Sequence, residues 1–163
     1  MKGYEPNLLE KLIDEDPRST ATSGVSRTVS LEQYKDSVAR DLEGLLNSRA
    51  AFAEAQLQDF PQCRRSMVTY GLEDFSGKSL ANAHDRAGIC RSLEQAIARH
   101  EPRLTRVRVL LQSTARNASS LHFAIHALLD LQPAREPISF DAMLQTSTQH
   151  YSISRARRIT SVA

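Results

Sequence analysis

The change from helix to sheet falls within Ile97-Ala98-Arg99-His100-Glu101-Pro102-Arg103-Leu104, because an amphipathic helix ends in this segment and a β-strand begins. Before it, one side of the helix is marked at a period of 3.6 residues by Ile89, Cys90, Leu93, Ala96, Ile97 and His100. After it the period is two, and the alternating sets are Val107, Val109 and Leu111 against Arg106, Arg108 and Gln112. Pro102 disfavours a helical conformation at the residue before it, so we predict that the helix ends near His100.

A carboxylate and a guanidinium flank the proline at this break. In an extended segment, residues two apart project to one side, so we expect Glu101 and Arg103 to lie together at a corner between helix and sheet. An exposed ion pair contributes only about 0–1 kcal/mol to stability. Two roles stay open from the residues alone: a local pairing that satisfies the backbone at the helix end, and a contact with another protein. This corner is the candidate functional site.

Periodicity and turn signals predict the remaining elements. Ser30 and Gln33 form a capping box that opens a helix running to about Ser48. Residues 50–58 have high helix propensity, and residues 64–71 indicate a short helix that ends at Gly71. The clearest alternation lies at 121–131, which should pair with 104–112 in an antiparallel hairpin. Two further strands are predicted, one over 138–144 and one that includes Tyr151 and Ile153.

Helices followed by strands are typical of an α+β domain. We predict N-terminal helices packed on one face of a C-terminal antiparallel or mixed β-sheet of three to four strands. Segments 104–112 and 149–155 are the candidates for an exposed edge of that sheet. Residues 1–29 should form a short helix at 7–13 and a linker at 14–28, residues 30–155 a single domain, and residues 156–163 a C-terminal tail.

Composition argues against several classes of function. The net charge of +2 over 163 residues is too small to indicate nucleic-acid binding. No apolar run approaches the roughly 20 residues of a membrane span, and no phosphate-loop, dinucleotide or zinc-ribbon motif predicts a cofactor. Cys63 and Cys90 are expected to be reduced thiols. His122 and His126 would lie about 13 Å apart on a strand, too far to bind one metal ion.

Three blocks of residues occur in an order and at intervals that resemble the TssE family, the baseplate subunit of bacterial type VI secretion systems. They are residues 37–49 (SVARDLEGLLNSR), Tyr70-Gly71-Leu72 with Asp74-Phe75-Ser76-Gly77, and Ala96-Ile97 leading into Glu101-Pro102-Arg103-Leu104. The resemblance extends from about Leu8 to Tyr151, and the family is related to the lysozyme-like wedge protein of contractile phage tails. Glu73 stands where the family pattern has a proline and His100 where it has an aromatic residue. Neither departure touches the Glu-Pro-Arg triplet.

The resemblance implies a structural protein without catalytic activity or cofactor, present in several copies in the cytoplasm, in the baseplate at the inner face of the cell envelope. It implies contacts with the wedge subunits TssF and TssG, with TssK, and with the sheath subunits TssB and TssC, which would build on a β-edge. The residues placed at partner contacts are Glu101, Pro102, Arg103, Tyr70, Gly71, Leu72, Asp74 and Phe75. No metal site, nucleic acid or membrane insertion is implied.

Two functions of other classes are alternatives to this one. A peptidoglycan-cleaving, lysozyme-like hydrolase would need two carboxylates about 5–10 Å apart, and Glu101 with Asp130 or Asp141 is the pairing that could be named. A regulatory adaptor that shares the fold is the other, because a fold does not fix a function. Nothing in the spacing of the acids selects them for catalysis, so the structural role is the one we expect.

Overall fold

The computed structural model describes residues 3–6, 28–75, 77–79, 82–112 and 120–156. The chain divides into two compact units, Met1–Val38 and Ala39–Ala163. The short helix predicted at 7–13, nearly all of the predicted linker and residues 157–163 of the predicted tail lie outside the described residues.

In the first unit, a short antiparallel bridge joins two extended segments. The N–H of Tyr4 donates to the Val29 carbonyl at 2.9 Å, and the N–H of Val29 donates to the Tyr4 carbonyl at 2.8 Å. The ring of Tyr4 stacks on that of Tyr34, with 5.5 Å between the centroids. The bridge therefore precedes the first helix directly.

Helix α1 (Leu31–Asn47) begins at the predicted capping box. The N–H of Ser30 donates to Gln33 Oε1 at 2.9 Å, and the N–H of Gln33 donates to Ser30 Oγ at 3.2 Å. Each side chain thus satisfies a backbone donor that the first turn of a helix leaves without a partner. The predicted start and the predicted end near Ser48 are both confirmed.

Between α1 and the next long helix, short 3₁₀ helices form in the segment of high helix propensity at 50–58 and in the segment that indicated a short helix ending at Gly71. Within the described residues of this connection they are Glu54–Leu57, Cys63–Arg65 and Met67–Thr69. Neither segment forms a continuous helix, because the run before Pro61 is too short to sustain an α-helix and Ser66 divides the following one into two turns. The Ser66 hydroxyl donates to the Cys63 carbonyl at 2.8 Å and accepts from the Val68 N–H at 3.4 Å. Side-chain bonds of this kind compete with helical hydrogen bonds.

Helix α2 (Ala83–His100) has the buried face predicted from its sequence. Asn82 caps its start, since the side-chain oxygen accepts from the N–H of His84 at 2.9 Å. The buried residues of the helix are Ile89, Leu93, Ala96 and Ile97. Among the described residues, no helix combines the length and the apolar character that crossing a membrane requires.

The C-terminal strands described by the structure form one antiparallel sheet in the order β1-β2-β3-β4. Their bounds are β1 (Leu104–Gln112), β2 (Ser120–Asp130), β3 (Arg135–Gln145) and β4 (His150–Arg155). The predicted hairpin is confirmed, with Val109 opposite Ile125 in the β1–β2 register. The α+β class is confirmed as well. Because of the strand order, β1 and β4 are the two edges of this sheet, as the sequence indicated.

A β-bulge interrupts the first half of β1. The register with β2 shifts between Thr105 and Arg108, and Arg106 has a φ of +53°. An extra residue of this kind bends the strand and disrupts regular pairing on its open side.

The core lies between the buried face of the sheet and the apolar faces of the helices. Its large, fully buried side chains include Phe123, Ile125, Leu129, Phe140 and Tyr151 on the strands, and Leu42, Leu45, Leu46, Leu72, Leu93 and Ile97 elsewhere. Buried and exposed residues alternate along β3, in agreement with one covered face. This packing fixes the position at which α2 turns into β1.

Candidate functional site

The corner between α2 and β1 is a tight turn. The N–H of Glu101 donates to the Ile97 carbonyl at 2.8 Å and so closes the helix. The Glu101 carbonyl accepts from the N–H of Leu104 at 3.1 Å, which makes a four-residue turn through Pro102 and Arg103. The expectation of an extended segment was therefore wrong, because the fixed φ of a proline suits the second position of such a turn.

The turn nevertheless brings the two charged side chains together. Glu101 is buried, with 5% of its surface exposed. Its Oε1 accepts from the backbone N–H of Arg103 at 3.2 Å and from Nε at 2.7 Å, while Oε2 accepts from Nη2 at 2.5 Å. The same Nη2 donates to Asp41 Oδ2 on α1, also at 2.5 Å. We call Asp41, Glu101 and Arg103 the corner triad.

The three members of the corner triad differ in how far they are exposed to solvent, and the two acids stabilise the charge of the arginine. Burial disfavours the charged guanidinium, but the hydrogen bonds and charges of Glu101 and Asp41 outweigh it, so the pKa of Arg103 lies above its ordinary value. The exposed fraction of the side chain is 6% for Glu101, 18% for Arg103 and 31% for Asp41. The triad ties α1 to the end of α2 and the start of β1, and Asp41 is the carboxylate that solvent reaches most.

The predicted contact residues at 70–75 form a second segment. It meets this corner where Tyr70 contacts His100. His100 Nε2 lies 2.8 Å from the Thr69 carbonyl oxygen and 3.2 Å from Thr69 Oγ1. The rings of Tyr70 and His100 meet edge to face, with 5.3 Å between centroids. Burial raises the pKa of Tyr70, and the negative charges of Asp41 and Glu101 raise it further. Two segments that lie apart in the sequence are thus brought to one place.

Gly71 and Leu72 join this segment to the end of α1. The N–H of Leu72 donates to the Ser48 carbonyl at 2.9 Å, and the N–H of Ala50 donates to the Leu72 carbonyl at 3.0 Å. Gly71 has a φ of +112°, and a Cβ at this position would lie 2.5 Å from the Ser48 carbonyl oxygen. Only glycine fits here without displacing the backbone. Leu72 is buried.

The other predicted contact residues are more accessible. Asp74 and Pro102 are exposed. Phe75 is half-buried, with Lys78 Nζ 5.1 Å from its ring centroid in a cation–π contact. The predicted residues therefore divide into those whose contacts hold this chain together and those that another protein can reach.

A polar cavity of about 220 Å³ lies beside the same segment. Thr69, Gly71 and Glu73 line one side of it, and α2 lines the other, with Arg91 and Arg99 among its residues. Among the described residues that line the cavity, Glu73 is the one carboxylate, whereas glycoside hydrolysis uses two. The described part of the lining therefore has the chemistry of a cationic surface.

The two histidines of β2 bond to serines on the sheet. His126 Nδ1 lies 2.8 Å from Ser139 Oγ, and His122 Nε2 lies 3.3 Å from Ser120 Oγ. Among the residues that the structure describes, no three His, Cys, Asp or Glu side chains are grouped so that they could hold a metal ion.

Sequence reasoning missed Asp41, the third member of the triad. Its partner Arg103 is 62 positions away, and the helical pattern of α1 identifies an apolar face without indicating what a neighbouring acid binds. The signal that could have pointed to Asp41 is its place in block 37–49, which carries the resemblance to a known family.

The family model described as baseplate wedge protein gp25 matches residues 32–134 of the chain. The match covers more than half of the sequence and includes the corner triad and the segment around Gly71. It ends immediately before β3. No curated protein matches the chain.

Proposed function

The chain belongs to the family of the baseplate wedge protein gp25, and on this premise we propose that it is the TssE-type subunit of a type VI secretion baseplate. The family is a structural one, found in the baseplates of contractile, phage-tail-like assemblies. The proposed finer role is to link the TssF and TssG wedge to the sheath and to help start sheath assembly. The observation that supports it is that the match over 32–134 contains all three blocks that resemble TssE.

The corner is the proposed contact with the wedge. Arg103 and Glu101 neutralise each other within this chain, so a partner meets a turn that is already rigid, and pre-ordered surfaces lose less entropy on binding. Pro102 is exposed at the tip of the turn, and Asp41 is the most accessible acid of the triad. TssF and TssG are proposed to bind this surface, with TssK nearby.

The sheet is the proposed contact with the sheath. An added strand gains main-chain hydrogen bonds along a sheet edge, and β1 and β4 are the edges of the described sheet. TssB and TssC are the proposed donors of such strands. This role would place several copies of the chain in the cytoplasm, in the baseplate at the inner face of the cell envelope.

The hydrolase alternative is less well supported by the geometry. A general acid must reach the bond that it protonates, but both carboxylate oxygens of Glu101 accept hydrogen bonds from Arg103 and only 6% of the side chain is exposed. Asp130 Oδ1 accepts from the N–H of Gln132 at the end of its strand. Loss of turbidity in a peptidoglycan suspension would favour the hydrolase. No observation favours the adaptor over the baseplate role.

The test of the baseplate role is co-purification. The tagged chain is co-expressed with TssF and TssG, and recovery of both is measured for the wild type, for Pro102→Asp and for the control Gln145→Asp. Both substituted residues are exposed, so circular dichroism should report the same fold for all three proteins. Pro102→Asp is expected to reduce recovery roughly tenfold, because it places a charge in the centre of the proposed contact.

The possible outcomes test the TssE role and the location of the contact separately. If the wild type recovers neither TssF nor TssG, the proposed TssE role is wrong. If it recovers both and Pro102→Asp performs like Gln145→Asp, the role stands and the corner is not the contact.

A further inference from the structure

On the β4 edge of the sheet, outward-facing backbone groups are bonded to side chains of α1. Asn47 Oδ1 accepts from the Tyr151 N–H at 2.8 Å, and Asn47 Nδ2 donates to the Tyr151 carbonyl at 2.9 Å. Glu43 Oε2 accepts from the Ile153 N–H at 2.8 Å. Three backbone groups that a neighbouring strand would need for pairing are therefore already hydrogen-bonded within the chain.

The β1 edge is bonded in the same way by α2. Glu94 Oε1 accepts from the N–H of Val109 at 2.9 Å. Burial raises the pKa of the Cys90 thiol, and a hydrogen bond from the Leu111 backbone acts in the opposite direction. Val109 and Leu111 have the same parity along β1, so both direct their backbone groups away from β2. We call Glu43, Asn47, Cys90 and Glu94 the edge caps.

The spacing of the edge caps follows from the geometry of helices and strands. Four residues of an α-helix rise about 6.0 Å. Two residues of an antiparallel strand rise about 6.8 Å, nearly the same distance. On each edge, two caps four positions apart on a helix meet two strand residues that are two positions apart. The same arrangement occurs on both edges, each time with a different helix.

The part of β3 that extends beyond β4 is blocked by other means. β4 pairs with β3 from Phe140 to Gln145, and the N–H of Ala156 donates to the Ser139 carbonyl at 3.0 Å. Pro137 is the next residue whose backbone nitrogen faces that side, and proline has no N–H. An added strand would find no donor at that position.

Unprotected edges pair with other chains, and native proteins block them. We propose that the edge caps keep copies of this chain from pairing edge to edge, and that β1 is the edge at which a second copy pairs once Glu94 is removed. The proposal involves only copies of this chain, so it does not depend on the proposed function and can be tested without any other subunit.

Several features select β1 rather than β4 for the second copy. β1 has nine residues and β4 has six. On β1 the Val109 N–H is held by one carboxylate and the Leu111 backbone by a thiol, which is a weak acceptor, whereas Tyr151 and Ile153 of β4 are held by three hydrogen bonds to amide and carboxylate groups. Leu110 is 58% exposed on β1, an apolar side chain that a paired strand would cover.

The bulge and its arginine confine the pairing to the second half of β1. An antiparallel pairing over 108–112 places Val109 opposite Leu111 of the second copy, with their outward backbone groups facing each other. It also places the two copies of Leu110 opposite each other and Arg108 opposite Gln112, so no like charges meet.

Sedimentation velocity over a range of protein concentrations tests the proposal on the full chain. Glu94→Ala is expected to associate at least tenfold more tightly than the wild type. Glu94→Gln keeps an acceptor oxygen and should behave like the wild type, as should the control Gln95→Ala, an exposed neighbour on the same helix. Glu94→Lys keeps the side-chain stem but loses the acceptor, and it replaces Glu94→Ala if the alanine variant folds poorly by circular dichroism.

A second substitution identifies the edge. Leu110→Lys in the Glu94→Ala background should restore the monomer, because it places two positive charges opposite each other. The proposal is overturned if neither Glu94 variant associates more tightly than Gln95→Ala, if the association survives Leu110→Lys, or if the wild type already pairs through β1.

Discussion

Replacing Glu101 with alanine should destabilise the chain by about 3 kcal/mol, near the lower end of the range for breaking a buried ion pair. Glu101 is 5% exposed, accepts three hydrogen bonds from Arg103, and leaves a mostly buried guanidinium behind when it is removed. The estimate stays at the lower end because Asp41 still contacts Arg103. Asp41→Ala should cost only about 1 kcal/mol, since 31% of that side chain is exposed.

The assay is urea unfolding followed by circular dichroism, with the free energy of unfolding extrapolated to water. Asp141→Ala, which removes an exposed acid on β3, is the control and should change the free energy by less than about 0.5 kcal/mol. In a double-mutant cycle, Glu101→Ala and Arg103→Ala together should cost clearly less than the sum of the single changes. If Glu101→Ala costs no more than Asp41→Ala, burial does not set the strength of the triad and the reasoning fails.

Three further substitutions test other parts of the structure by the same unfolding assay. Gly71→Ala should destabilise by about 2 kcal/mol or more, since φ is +112° and the new Cβ would lie 2.5 Å from the Ser48 carbonyl oxygen; a neutral result would contradict this backbone geometry. Tyr151→Phe should stabilise by about 1 kcal/mol, because the buried hydroxyl has no hydrogen-bond partner among the described residues; burial raises the pKa of Tyr151 to about 12. Burial lowers the pKa of His100 below 6.5, so the unfolded chain takes up the proton first and stability should fall as the pH drops below 6.5. His100→Phe should flatten that dependence, and an equally steep profile in the variant would assign the effect to another group.

The elements with a clear period could be predicted from the sequence. The boundaries of β1 were predicted without error, and α2 ends at His100 because Pro102 follows two residues later. Helix propensity alone failed between α1 and α2, where Ser66 bonds to nearby backbone and 3₁₀ turns form. Local patterns are reliable where one face of an element is buried, and they fail in the connection between α1 and α2, where side chains inside a short segment bond to its backbone.

The site could be predicted only in part. Glu101 and Arg103 are neighbours in sequence, so their pairing follows from the chain itself, although through a turn that was not foreseen. Asp41 enters the triad from α1, and only the packing of that helix determines which acid reaches the guanidinium. Edge caps such as Glu94 are equally hidden, because a surface glutamate on a helix has the same sequence signature whether or not it bonds to a strand.

The edge caps also decide where a strand from the sheath could be added. On β1 an added strand would displace the bond from the Val109 N–H to Glu94, which costs about 1.5–3 kcal/mol because the acceptor is charged, and the weaker bond from the Leu111 backbone to the Cys90 thiol. An added strand makes several backbone bonds of about 1 kcal/mol each, which offsets the loss on β1. On β4 the strand would have to displace three bonds over six residues, so the exchange gives little net gain. If the proposed sheath contact uses strand addition, it should therefore use β1, and Glu94→Ala should strengthen the binding of a sheath strand while Asn47→Ala leaves it nearly unchanged.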